Sequence, residues 1–85
     1  MKSLIYTYDA NYKQLNIIIS CWNLIPHNED IDSLAEKVLK LLYEAAAPEH
    51  IKRVIESELT VTQGLFKTEF NAANLAQEIV SWWHE

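Results

Sequence analysis

Residues 14–22, QLNIIISCW, decide how the chain is read. Three consecutive isoleucines make this the densest β-branched run in the 85 residues. Branching at Cβ suits a pleated, half-buried surface, so the stretch reads as the central strand of a small sheet. Upstream, residues 3–8 (SLIYTY) alternate and are rich in strand formers. Between the two runs, residues 9–14 (DANYKQ) are polar, with Asp9 and Asn11 as turn formers. This pattern predicts an N-terminal β-hairpin. A loop over residues 10–13 sets Tyr8 opposite Leu15, Tyr6 opposite Ile17 and Leu4 opposite Ile19, all on one face with Cys21 continuing it. The other face then carries Ile5, Ile18 and Trp22 among Ser3, Thr7, Asn16 and Ser20.

Downstream, Pro26 ends any strand pairing. From Ile31 the apolar positions are Ile31, Leu34, Ala35, Val38, Leu39, Leu41, Leu42, Ala45 and Ala46, a wide helical stripe. Asn28, Asp30 and Asp32 are candidate N-caps, and Glu36 with Lys40 forms a favourable i,i+4 pair. Residues 48–63 read two ways. Pro48 at a first helical position, with Ile51, Val54, Ile55 and Leu59 behind it, favours a helix over 48–58 that becomes extended from Leu59. The alternative is a strand running into a two-residue turn at Gln63 and Gly64. Residues 65–70 (LFKTEF) alternate and read as a strand. Asn71 is placed to cap a last helix with Leu75, Ala76, Ile79, Val80 and Trp83 on its apolar face and Trp82 on its flank.

The fold class expected is therefore α+β. A small antiparallel sheet, the N-terminal hairpin plus one or two later strands, carries two or three helices in a single domain, 1–85.

Composition bounds the function. Hydrophobic residues are 49% and charged residues 22%, which is globular rather than disordered. With one glycine, a glycine-rich phosphate loop is disfavoured. The net charge is −5 and the seven Lys and Arg are scattered, apart from adjacent Lys52 and Arg53. Direct contact with nucleic acid and attraction to anionic lipid are both disfavoured. No run of about eighteen apolar residues suggests a membrane span. One cysteine, Cys21, permits no internal disulfide and, without a signal-peptide pattern, points to the cytoplasm.

No catalytic or cofactor-binding constellation emerges. Cys21 with His27 or His50 would be a nucleophile pair, but a mid-strand cysteine beside isoleucine is better explained as a small core residue. His27, Glu29, Asp30 and Asp32 match neither zinc nor calcium spacing and read as acids around a helix start. Glu56, Glu58 and Glu69 read as a solvated face rather than acid–base partners. His50 and His84 are isolated. No metal, cofactor or catalytic residue is therefore expected.

Three tryptophans are a surplus for this length. Trp83 fits a core position; Trp22 and Trp82 do not fit their core faces, and for them a core and an interface position are equally expected. The interface candidates are Ile5, Ile18, Trp22, Trp82, Glu29, Asp30 and Asp32. The function expected is a small non-enzymatic protein-binding module. Its concrete form is an acidic inhibitor or immunity-type protein that masks a basic surface of a nucleic-acid-handling enzyme. The alternative is a homo-oligomeric regulatory or structural subunit pairing through Ile5, Ile18 and Trp22. A small ligand-binding protein or enzyme using Cys21 is the remote third.

Overall fold

In the structure, a computed structural model that describes residues 7–84, the isoleucine run is helical. Helix α1 covers Tyr8–Ser20. Thr7 is extended and caps it, its hydroxyl accepting the Ala10 N–H at 3.2 Å. That bond satisfies one of the N–H groups a helix start leaves open. Asn11, Leu15 and Ile19 recur every fourth residue and are buried. Ile18 and Trp22, a second i,i+4 pair, pack partly against the same core, whereas Ile17 is exposed. The three isoleucines thus point in three directions around a helix, not to two sides of a strand.

The α+β architecture is overturned: the described residues form helices, turns and loops, with no strand among them. The physical reason is a coincidence of periods. Leu15, Ile17 and Ile19 satisfy an alternation of two, but Leu15 with Ile19 also satisfies the helical i,i+4 rule. Strand preference is mostly a packing preference, so context decides between them. Residues 9–14 hold no glycine to turn a hairpin, while Ala10, Lys13 and Gln14 are good helix formers. Tyr8 opens the helix instead of closing a strand. Ser3, Leu4, Ile5 and Tyr6 of the expected hairpin lie outside the described residues.

Helix α2, Asn28–Tyr43, follows the stripe read from sequence and buries Ile31, Leu34, Ala35, Val38, Leu39 and Leu42. None of Asn28, Asp30 and Asp32 caps it. His27 holds the N-cap position without a side-chain bond, and its carbonyl accepts the Asp30 and Ile31 N–H groups. The helix closes in a Schellman motif around Ala45 at φ 56°. The Ala46 N–H donates to the Leu41 carbonyl at 3.0 Å and the Ala45 N–H to Leu42 at 3.1 Å.

Helix α3, Pro48–Ser57, starts with Pro48 in its first turn, as the sequence suggested. The chain does not become extended at Leu59. It continues as a π-turn over Glu58–Thr62, where the Gln63 N–H reaches back five residues to the Glu58 carbonyl at 3.2 Å. Staying helical keeps Leu59 in line with Ile51 and Ile55, and all three are buried. Gly64, at φ 71°, ends the turn, and the Leu65 N–H closes onto the Leu59 carbonyl. The glycine is a helix stop, not a hairpin turn. The strand expected over 65–70 is likewise a loop with one 3-10 turn, Lys67–Glu69, in which the Glu69 carboxylate accepts the Phe66 N–H at 2.7 Å.

Helix α4, Ala72–Trp83, is capped by Asn71 as expected, its side chain accepting the Asn74 N–H at 3.1 Å. Ala76, Ile79, Trp82 and Trp83 are buried. Helices α1 and α2 run antiparallel, since Asn11 bonds Tyr43 while Asn16 bonds Asp32. The π-turn after α3 meets the middle of α2 through Lys37 and Glu58. Two side-chain bonds tie α4 to α1: the Trp82 indole N–H donates to Gln14 at 3.0 Å, and the Trp22 indole N–H to Glu78 at 2.6 Å. One core results, with Leu15, Ile19, Leu34, Leu39, Ile55, Leu59, Ile79 and Trp83 at its centre.

Candidate protein-binding face

Among the described residues, the ion pairs engage Glu58, Glu49 and Glu56. The acids near the start of α2 are not among them. Glu29, Asp32 and Glu36 are exposed at helical intervals of three and four, so one line of α2 carries all three. They are there because the opposite side of the same turns is fully taken by Ile31, Leu34, Ala35 and Val38. Asp32 accepts a hydrogen bond from the Asn16 amide of α1 at 2.5 Å. Asp30, half-buried on the neighbouring side, accepts from Gln63 at 2.9 Å.

Tyr12 of α1 lies beside this line, its hydroxyl 3.4 Å from the Asp32 backbone carbonyl. Its phenol is held above the usual value, first by burial, then by the charge and hydrogen bonding of Asp32 and by the charge of Glu36. Both acids therefore act on one phenol, which marks a shared negative field. Tyr8 extends the face: its ring is 6.4 Å from that of Tyr12 and 5.7 Å from that of Tyr43. Tyr43 in turn meets Trp83 edge-on at 5.2 Å. The surface is a line of carboxylates beside partly exposed aromatic rings, a chemistry that accepts Lys and Arg side chains by charge and by ring faces.

The structure distributes the interface candidates unevenly. Glu29 and Asp32 fall on this face, and Asp30 on its edge. Ile18 and Trp22 are half-buried against the core, and the sheet face that grouped them is absent among the described residues. Trp82 is 9% exposed and bonded to Gln14. Ile5 lies outside the described residues. Glu36, Tyr8 and Tyr12 were not singled out from sequence. The i,i+7 spacing of Glu29 and Glu36 was the available signal, and the hairpin reading hid the tyrosines, with Tyr8 set on the core face of a strand and Tyr12 in the loop.

Cys21 is not the core residue expected. It is exposed at the C-terminal end of α1, whereas activated cysteines typically sit at helix N-termini. Among the described residues, no group of three His, Cys, Asp or Glu side chains is arranged to hold a metal ion. No described helix is long and apolar enough to cross a membrane. The chain was compared with protein-family models, curated proteins and solved structures, and nothing matched in any of the three.

Proposed function

We propose that the chain is a small, non-enzymatic protein-binding module that docks a basic protein surface on the α1/α2 face. The observation that carries this reading is the exposed line of Glu29, Asp32 and Glu36, which has no cationic partner among the described residues and runs beside Tyr12. A net charge of −5 adds long-range steering toward a basic partner. The concrete form is an inhibitor or immunity-type protein covering the basic surface of a nucleic-acid-handling enzyme. A free, exposed Cys21 suits a reducing cytoplasm.

The test compares the wild-type chain with Glu29→Lys/Glu36→Lys as baits in extract of the source cells, with circular dichroism as the control for folding. Support requires a basic protein retained by the wild type at low salt, released as salt rises and lost with the double variant. Equal retention by both baits, or retention insensitive to salt, overturns the reading.

Association with a second copy of the chain is the alternative. Val61 and Phe66, at 79% and 75% exposure, are apolar surface that a dimer would cover. Light scattering across a concentration series decides it, and a monomer at every concentration excludes it.

A further inference from the structure

We propose a second site, independent of the acidic face: a cavity between the end of α2, the start of α3 and the end of α4 that binds a small, single-ring apolar molecule. It measures about 130 Å³. Its most buried lining is the Trp83 indole and Ile51, and Leu42 also lines it. The exposed residues at its mouth include Ala45 and His84, with half-buried Ala46 between the two levels.

Three features set this space apart from a packing defect. Its size matches one benzene ring, for which an apolar cavity of roughly 150 Å³ is sufficient. Its lining is mostly apolar, with a polar minority, so an apolar guest displaces water that finds few partners there. Its wall is also strained. Ala45 holds the left-handed conformation that closes α2, at a position where glycine is the usual occupant. Strain of this kind gathers at ligand sites, where the surroundings hold it in place. Ala45 and Ala46 contribute only methyl groups to the lining, where larger side chains would fill more of the space.

Among the described lining residues, His84 carries a polar side chain at the mouth. Its imidazole is exposed at the mouth and offers a hydrogen bond to a hydroxyl or carbonyl carried by the ring. The site therefore suits a phenol-like molecule more than a bare hydrocarbon, and its volume favours one ring over a fused pair.

The experiment is a heteronuclear NMR titration of the full chain with phenol, benzene and 2-naphthol, following the Trp83 indole N–H and the Ala45, Ala46 and Val80 amides. Phenol is expected to saturate with a dissociation constant on the order of 1 mM, within the efficiency of so small a ligand. Benzene should bind more weakly, and 2-naphthol should not bind. Ala46→Leu and Val80→Leu fill the cavity from two sides, and each should weaken phenol at least about tenfold. His84→Ala should bring phenol down to the benzene level. Linear, non-saturating shifts overturn the proposal. So do shifts spread over the whole chain, tight binding of 2-naphthol, or unchanged phenol affinity in whichever filled variants fold.

Discussion

Replacing Lys37 with Met tests how the π-turn is held. The Lys37 ammonium lies 2.6 Å from Glu58 Oε1, the Glu58 side chain is 7% exposed, and that of Lys37 is 56% exposed. Breaking a fully buried pair costs about 3–5 kcal/mol, and an exposed pair is worth about 0.2–1 kcal/mol. This pair has one end in each regime. Thr62 also helps hold the Glu58 carboxyl in its charged form. A loss of about 1–2 kcal/mol at pH 7 is therefore expected for Lys37→Met, or roughly 4–16 °C in Tm for a domain of this size.

The pH dependence separates this mechanism from a packing effect. Burial pushes the Glu58 carboxyl up, but hydrogen bonds from Lys37 and Thr62 and the Lys37 charge outweigh it, and the group is held below its ordinary value. A carboxylate depressed in the folded state stabilises the fold above its unfolded pKa. That contribution is lost as pH falls through the folded value. The gap between wild type and Lys37→Met should thus be full at neutral pH and close in acid, once Glu58 is protonated in both. The assay is urea unfolding followed by circular dichroism at several pH values. A neutral-pH gap under about 0.5 kcal/mol, or one that persists unchanged in acid, refutes the reasoning.

Three further outcomes are expected. Ala45→Gly should raise stability by up to about 1 kcal/mol, read as a higher Tm, because glycine enters the left-handed region without a Cβ clash; a lower Tm would show that Ala45 is not strained. Asn11 is fully buried, donates to the Tyr43 hydroxyl at 2.9 Å and leaves its side-chain oxygen without a partner among the described residues, so Asn11→Leu should be neutral or stabilising in urea unfolding, while Asn11→Asp should cost at least about 2 kcal/mol. Thr7→Ala and Asn71→Ala each remove a helix cap and should each cost about 1 kcal/mol, and because the caps serve different helices the two losses should add in the double variant.

What the sequence determined by itself is the part of the chain where one period excludes the other. The stripe from Ile31 to Ala46 has nine apolar positions in helical register and no strand reading; the structure keeps it as far as Leu42 and places Ala45 and Ala46 beyond the helix end. Pro48 at the start of α3 and Asn71 before α4 are signals carried by single residues whose chemistry acts locally, and both hold. The exposed line of Glu29, Asp32 and Glu36 was legible only in part: the helix was read from Ile31, which left Glu29 before its start, and Glu36 was paired with Lys40 instead of being joined to the other acids.

Tertiary structure decided the rest. Residues 14–22 satisfy a strand and a helix equally well, and what separates them is the surface they meet. Beside α2 and α4, a helix buries Leu15 and Ile19 and brings Gln14 within reach of the Trp82 indole. The same holds after Ser57, where a π-turn keeps Leu59 in the core and brings Glu58 against Lys37. Trp22 and Trp82, read as surplus aromatics, find partners 56 and 68 residues away in sequence. Bonds across such separations leave no local pattern, because the free energy that selects them exists only when the helices are already packed.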